Sequence, residues 1–326
     1  MENFQIKSVL KLNGEITTLL LLNNKKEIAI CTANGFLYIY NIKFLKPKLI
    51  IHLIKETNVN LTILDIIEFK INNFCLACWD STIKYIELYD NNQIYKIKQI
   101  LKFQDNTFVN ALKKLSYFKD KIIISSSCNQ EKIYLWEYQI KNDKFNNYKI
   151  ISLYSIENTI IYHQLESLEE SIKYKELICG SFHFQKIFFY NLSTGQIQNL
   201  TVSINRCIRA LKIIENDEFL LTAGNKAIYI IKLENKLILI SIKYEVDIEF
   251  NCIFQKKNGN LLISEYGDVI KIKEFQFDLK KLSLNVINAK EDIFNGYITT
   301  MIELENGELI IGGYDKTVKV LEKSLK

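Results

Sequence analysis

The stretch LIIGGYDKTVKV, residues 309–320, holds an apolar run, a short polar turn and a strict apolar/polar alternation. Six other segments repeat it: IAICTANGFLYIY (28–40), CLACWDSTIKYIE (75–87), IIISSSCNQEKIYLW (122–136), LICGSFHFQKIFFY (177–190), LLTAGNKAIYII (220–231) and LLISEYGDVIKI (261–272). The last apolar residue of the first run and the first of the second lie seven apart in five copies: Ile30 and Leu37, Leu76 and Ile83, Leu221 and Ile228, Ile263 and Ile270, Ile311 and Val318. In the other two, Ile124 to Ile133 and Ile178 to Ile187, the gap is nine, as a two-residue turn insertion gives. Period two beyond each turn is the strand period, so each copy reads as a hairpin.

A further element precedes most copies, of the form apolar, small or polar, small, apolar. It is Ile16-Thr17-Thr18-Leu19, Val109-Asn110-Ala111-Leu112, Ile208-Arg209-Ala210-Leu211, Phe250-Asn251-Cys252-Ile253 and Ile298-Thr299-Thr300-Met301. Leu61-Thr62-Ile63-Leu64 fits loosely, and the fourth copy, near Ile161, is ambiguous. Another apolar stretch follows every alternation but the last: Leu49–Ile54, Ile94–Ile100, Ile150–Tyr154, Ile197–Val202, Leu237–Ile242 and Leu282–Ile287. Four strands per unit of about 42 to 54 residues is the period of a propeller blade. The seventh fourth strand is missing at the C-terminal end, whereas Phe4–Leu12 is strand-like and unassigned. The expectation is therefore all-β: a seven-bladed β-propeller of four-stranded antiparallel blades, one domain over 1–326, closed by the N-terminal strand pairing into the last blade. Closure of that kind removes the free edges an open sheet exposes.

These repeats resemble the WD-repeat β-propeller family, and the resemblance covers essentially the whole chain. CWDSTIKYIE and GYDKTVKV carry the aspartate of the family's tight turn at Asp80 and Asp315, and Trp136 ends the third alternation where that family usually has Trp. No blade has the Gly-His signature, Glu137 follows Trp136 where Asp is usual, and Asn34, Asn225 and Gly267 replace the turn aspartate.

Nearly half the chain, 48%, is apolar and 24% is charged, so a large core is affordable; the single proline, Pro47, and the lack of a Ser/Gly-rich stretch argue against an internal linker. No signal-like N-terminus and no run of the roughly 18 apolar residues of a membrane span are present. The seven cysteines are odd in number and mostly sit in apolar strands, which fits free thiols in a reducing compartment, cytosol or nucleus. Cys75 and Cys78 have a metal-like spacing, but residues three apart on a strand face opposite sides; Cys179 and His183 flank a turn without two further ligands. Neither pair is read as a metal site, no cofactor is expected, and no Ser/His/Asp or Cys/His constellation is found.

The net charge of +5 is spread over lysines in every unit, which argues against a nucleic-acid surface. The candidate partner-binding residues come from the turn between second and third strands. The position before the turn aspartate or its substitute holds Trp79, Tyr266 and Tyr314. The resemblance implies that this turn shares a narrow face with the start of the inner strand, where Thr17, Thr62, Asn110, Arg209, Asn251 and Thr299 stand, with Arg206 just upstream. Large aromatics and arginine are enriched at interface hot spots. Asp80 and Asp315 read as structural Asx-turn residues. The expected function is a non-catalytic protein–protein interaction scaffold, a subunit of a larger intracellular assembly whose protein partner offers an acidic or aromatic-containing segment. The alternatives are an RNA-associated propeller of a ribonucleoprotein or ribosome-assembly particle, and a propeller hydrolase. The inner-strand positions, read as Thr, Asn and Arg without a carboxylate, disfavour the hydrolase.

Overall fold

The computed structural model describes residues 4–43, 45–53, 61–89, 94–103, 108–128, 132–153, 165–181, 185–202, 208–246, 248–291 and 293–323. They form twenty-eight strands and no helix, sorted into seven four-stranded sheets. The fold class is all-β, a seven-bladed β-propeller. The chain divides into two compact units, Leu10–Leu165 and Met1–Val9 with Glu166–Lys326.

The first unit holds three blades: β2 (Ile16–Leu21) to β5 (Lys46–His52), β6 (Ile63–Lys70) to β9 (Ile94–Lys102), and β10 (Val109–Leu115) to β13 (Lys144–Ser152). The second holds four: β14 (Leu165–Ser171) to β17 (Ile197–Thr201), β18 (Ile208–Ile214) to β21 (Leu237–Lys243), β22 (Glu249–Gln255) to β25 (Ser283–Glu291), and β26 (Ile298–Glu303) to β28 (Thr317–Lys323). The last of these is completed by β1 (Phe4–Lys11), in the order β1-β28-β27-β26. The N-terminal strand thus supplies the outer edge of the last blade, as the count of apolar stretches requires.

Burial explains the sequence pattern. Second strands such as EIAICT, NFCLAC and FLLTAG are buried at every position and accordingly read as continuous apolar runs. Fourth strands cover a blade on one side only, so β17 is exposed at four of five positions. In β13 only Phe145 and Ile151 need be apolar, which is why this strand starts at Lys144, six residues before the apolar stretch that the sequence offers.

Two inner strands fall elsewhere than the sequence suggests. Ile63 opens β6 and pairs with Cys78, as Val109 pairs with Cys128 and Ile208 with Gly224, so the second copy is Ile63-Leu64-Asp65-Ile66 and Thr62 is the residue before it. The fourth is Leu165-Glu166-Ser167-Leu168, not a segment near Ile161; residues 154–164 lie outside those described. Six inner strands carry a register shift at one repeat position, between Ile16 and Thr18, Ile63 and Asp65, Val109 and Ala111, Ile208 and Ala210, Phe250 and Ile253, and Ile298 and Thr300. A bulge bends the strand and re-aims the extra residue. The positions singled out in the sequence, Thr17, Asn110, Arg209, Asn251 and Thr299, are at these bulges.

Neighbouring blades within a unit are stapled by one recurrent device. An acidic residue of one blade accepts backbone N–H groups at the hairpin turn of the blade before it, about one repeat away. Glu68 takes the amide of Asn23 at 2.6 Å, Asp217 those of Ile172 and Lys173 at 2.8 and 3.1 Å, and Glu303 that of Lys257 at 2.7 Å. Charge-assisted bonds of this kind are the stronger class, and they satisfy turn amides that the ladder cannot.

Candidate partner-binding face

The two turn aspartates build clusters from the same three residue types. Asp80 accepts the Thr82 hydroxyl at 2.5 Å and the Lys84 ammonium at 2.8 Å, and Lys84 also donates to Thr82 Oγ1 at 2.7 Å. Asp315 accepts the amide of Thr317 at 3.0 Å, its hydroxyl at 2.5 Å and the Lys319 ammonium at 3.1 Å. Lys319 also donates to the Ile293 carbonyl and lies 4.0 Å over the Phe294 ring. Both lysines are at least seven-eighths buried, so each aspartate neutralises a charge the blade has taken from water. The recurring unit is therefore Asp-x-Thr-x-Lys, and its aspartate is structural.

Asn225 occupies the same turn position in the fifth blade, but Ala227 and Tyr229 stand where the other turns have Thr and Lys. Its carbonyl oxygen is buried without a hydrogen-bond donor among the described residues. Asn225 forms an antiparallel bridge with Glu249, the first residue of β22, whose buried Oε2 is the oxygen that faces Arg209 at 3.4 Å.

Around this pair the second unit gathers its aromatic turn residues. Tyr266 stacks on Tyr297 with centroids 3.9 Å apart, and Tyr314 meets Tyr297 edge-on at 5.6 Å. The Tyr314 amide donates to the Tyr297 carbonyl at 2.9 Å. Gly296 permits the approach: its φ is 151°, and a Cβ there would stand 3.3 Å from the Tyr314 Cβ. Arg209 lies 5.8 Å over the Tyr297 ring, donates to Asn251 Oδ1 at 3.0 Å and pairs with Glu249 at 3.4 Å. Burial, and then the Glu249 carboxylate, pushes the Tyr297 phenol above its ordinary range. Tyr314 nevertheless remains 44% exposed. Three of the sequence candidates, Arg209, Tyr266 and Tyr314, are thus brought together. Arg206, which with Arg209 makes up the chain's arginines, lies outside the described residues.

In the first unit Trp79 makes the same repeat contact. It stacks edge-on against Phe108 at 4.8 Å, its amide donates to the Thr62 carbonyl at 2.9 Å, and it is 48% exposed. Phe108 and Tyr297 each directly precede the first residue of an inner strand. Trp79 and Tyr266 thus each contact an aromatic leading into the next blade, whereas Tyr314 meets the aromatic leading into its own. Phe108 and Tyr297 were not singled out in the sequence, though an aromatic directly before the apolar-small-small-apolar element was the available signal. Lys84 and Lys319 were equally legible in the repeated Asp-x-Thr-x-Lys spacing.

Two polar bulge residues turn to the next blade, whereas Thr299 donates to the Gly312 carbonyl of its own blade at 3.2 Å. Asn110 donates to the Leu165 carbonyl at 2.9 Å and Arg209 to Asn251. Thr62, before its strand, donates to the Ala33 carbonyl at 2.7 Å. The inner strands carry carboxylates at other positions than those read from the sequence, Asp65, Glu169 and Glu249 among them. Asp65 accepts its neighbour Ile66's amide and that of Leu112, both at 2.8 Å. No group of three or more metal-ligating side chains is found among the described residues. Cys75 and Cys78 are buried free thiols; His183 lies outside the described residues. Nor is there, among those residues, a helix long and apolar enough to cross a membrane.

No family model and no curated protein matches the chain in sequence. Among solved structures it is similar to a chain of a crystal structure of the mitotic checkpoint complex, with a TM-score of 0.79 at 11% identity, over 100% of this chain and 94% of that one. The likeness is one of fold.

Proposed function

We propose that this chain is a single-domain, non-catalytic interaction scaffold of the WD-repeat type, a subunit of a larger intracellular assembly, that engages protein partners through the faces carrying its turn aromatics. The observation that supports this most is that Trp79 and Tyr314 remain about half exposed although each is fixed by a backbone hydrogen bond and a ring contact. An immobilised aromatic offers wide contact area at little entropic cost. Residues that serve only turn geometry are small, as Ala33 is at the corresponding place in the first blade. Solved multiprotein assemblies include a chain of this fold, which agrees with the reading.

The test is capture of co-purifying proteins with the tagged chain, followed by titration of the partner so found. Trp79→Ala or Arg209→Glu should weaken binding by about 2 kcal/mol or more if either is a hot spot. Lys144→Glu, at the exposed start of β13, is the control and should change little. Loss of one ring contact costs the fold only about 1 kcal/mol, so circular dichroism should show Trp79→Ala folded; Arg209→Glu also breaks the pair with Glu249, and its binding counts only where circular dichroism shows it folded. Normal binding by both folded variants would place recognition elsewhere on the chain.

A further inference from the structure

Every blade ends in an outer strand that is paired on one side only, and the outer strand of the second blade differs from the other six. β9 is nine residues long and carries four large apolar side chains, Ile94, Tyr95, Ile97 and Ile100, that are 39% to 57% exposed. The other outer strands expose one or two each. An unpaired sheet edge is a template for a further strand, and proteins blunt it with proline, short strands, bulges or charge. β5 holds Pro47, β17 stops after five residues, and β25 sets Glu291 beside Lys290. On β1 the Lys7 ammonium is paired with Glu308 and Glu322. β9 bulges at Lys98, but that lysine turns to Glu87 at 3.1 Å and Asp143 at 2.5 Å.

The charge left on this edge is positive. Lys96 and Lys102 are exposed, and neither has an ion-pair partner among the described residues. The apolar side chains share one face of the strand: Tyr95, Ile97 and Ile100 stand opposite Leu88, Ile86 and Lys84 of β8, and Ile86 and Leu88 pack toward the first blade. The edge is also held firm. Gln99 exchanges two hydrogen bonds with the backbone of Phe145 in the next blade, at 2.8 and 2.7 Å, so a docking strand meets a preformed partner.

Beyond the turn-aromatic face, we propose a second docking surface: the free edge of β9 accepts an extended segment of a partner protein as a fifth strand of the second blade, with apolar residues of that segment against Tyr95, Ile97 and Ile100 and carboxylates against Lys96 and Lys102. In this mode main-chain hydrogen bonds supply affinity and alternate side chains supply selectivity. Opposite charges on neighbouring strands attract and like charges repel. A second copy of β9 would bring its own lysines to the edge, so the residues that deter self-pairing are the ones that select an acidic strand.

The experiment is selection of a random-peptide display library on the full-length protein and, in parallel, on Lys96→Glu with Lys102→Glu. Both lysines are exposed and unpaired, so circular dichroism should show the variant folded; Lys96→Gln with Lys102→Gln is the milder substitute. Peptides enriched on the parent and lost on the variant should alternate apolar and acidic residues, and singly they should bind the variant at least tenfold more weakly. N-methylation of every second peptide amide should weaken binding tenfold or more in one alternate set and spare it in the other, because only one set can face β9. A basic or non-alternating parent pool overturns the proposal, as do equal binding to the variant, equal effects of the two N-methylated sets, or no enrichment. A parent that dimerises in sedimentation and becomes monomeric on Ile100→Lys assigns the edge to a second copy and also overturns it. The scaffold reading through Trp79 and Arg209 has its own test and stands or falls without this edge.

Discussion

Phe4 is the residue on which closure of the last blade can be tested most sharply. It opens β1, is 6% exposed and packs in a cluster with Leu262, Ile272, Leu309 and Leu321 from the last two blades. Its ring also lies 5.0 Å under the Lys256 ammonium, and Lys256 forms a 2.8 Å ion pair with Glu274 in which both side chains are almost wholly buried. Phe4→Ala removes a buried aromatic, at about 3 to 5 kcal/mol, and admits water to that ion pair. At ~2.1 cal/mol/K of unfolding entropy per residue, the 326-residue chain has ~0.7 kcal/mol/K, so the midpoint should fall by ~4 to 7 °C. If the four-blade unit melts as a separate transition, the shift should be about twice as large and confined to that transition. Phe4→Leu keeps most of the apolar volume and should recover more than half of the loss. Deleting residues 1–11 strips the whole edge from β28 and should cost more than any single substitution, through to insoluble protein. Thermal unfolding followed by circular dichroism and calorimetry is the assay. A truncated protein that melts with the full chain refutes the view that β1 closes the fold, and Phe4→Ala melting within about 1 °C of the parent refutes the packing argument.

Three further outcomes are expected. Asp315→Asn leaves the buried Lys319 ammonium without its counter-ion and should destabilise by about 3 kcal/mol in denaturant unfolding, most of it recovered in Asp315→Asn with Lys319→Met. Burial pushes Asp65 up to about 6, against the amides of Leu112 and Ile66, the Lys113 charge and the Thr18 hydroxyl. The folded carboxyl thus holds its proton to higher pH than the unfolded one, at about 3.9, so its contribution should fall as pH rises from about 4 to 6 and then level off. The melting midpoint of Asp65→Asn should gain on the parent across that window, and a gap independent of pH would contradict it. Cys31, Cys75, Cys78, Cys128 and Cys179 are buried, and desolvation pushes Cys78 and Cys252 up to about 12, so the six described thiols should react with a thiol reagent only on adding denaturant. Stoichiometric zinc lost with Cys75→Ser would contradict that reading.

The fold was legible because burial on both faces forces the second strands to be continuously apolar, while the third strands alternate. IAICT and LYIY around Ala33-Asn34 declare a hairpin whatever the turn letters are. The inner strands were less legible because they bulge. A bulge breaks the period of two, so Ile63-Leu64-Asp65-Ile66 and Leu165-Glu166-Ser167-Leu168 looked no more strand-like than their neighbours. The tyrosine cluster was half legible. Tyr266 and Tyr314 share a repeat position, but the ring that joins them, Tyr297, sits one residue before a strand, and Glu249 is brought to Arg209 from some forty residues away.

The unequal turns differ in how far they satisfy their own polar atoms. In the second and seventh blades aspartate, threonine and lysine close the turn on itself, and every charged atom has a partner inside it. In the fifth blade asparagine remains, but its threonine and lysine partners are gone, and Asn225 Oδ1 is buried without a hydrogen bond among the described residues. An internal lysine in place of Tyr229 would satisfy that oxygen. Replacing Ala227 by Thr and Tyr229 by Lys, together with Asn225→Asp, should therefore rebuild the closed turn and stabilise the fifth blade.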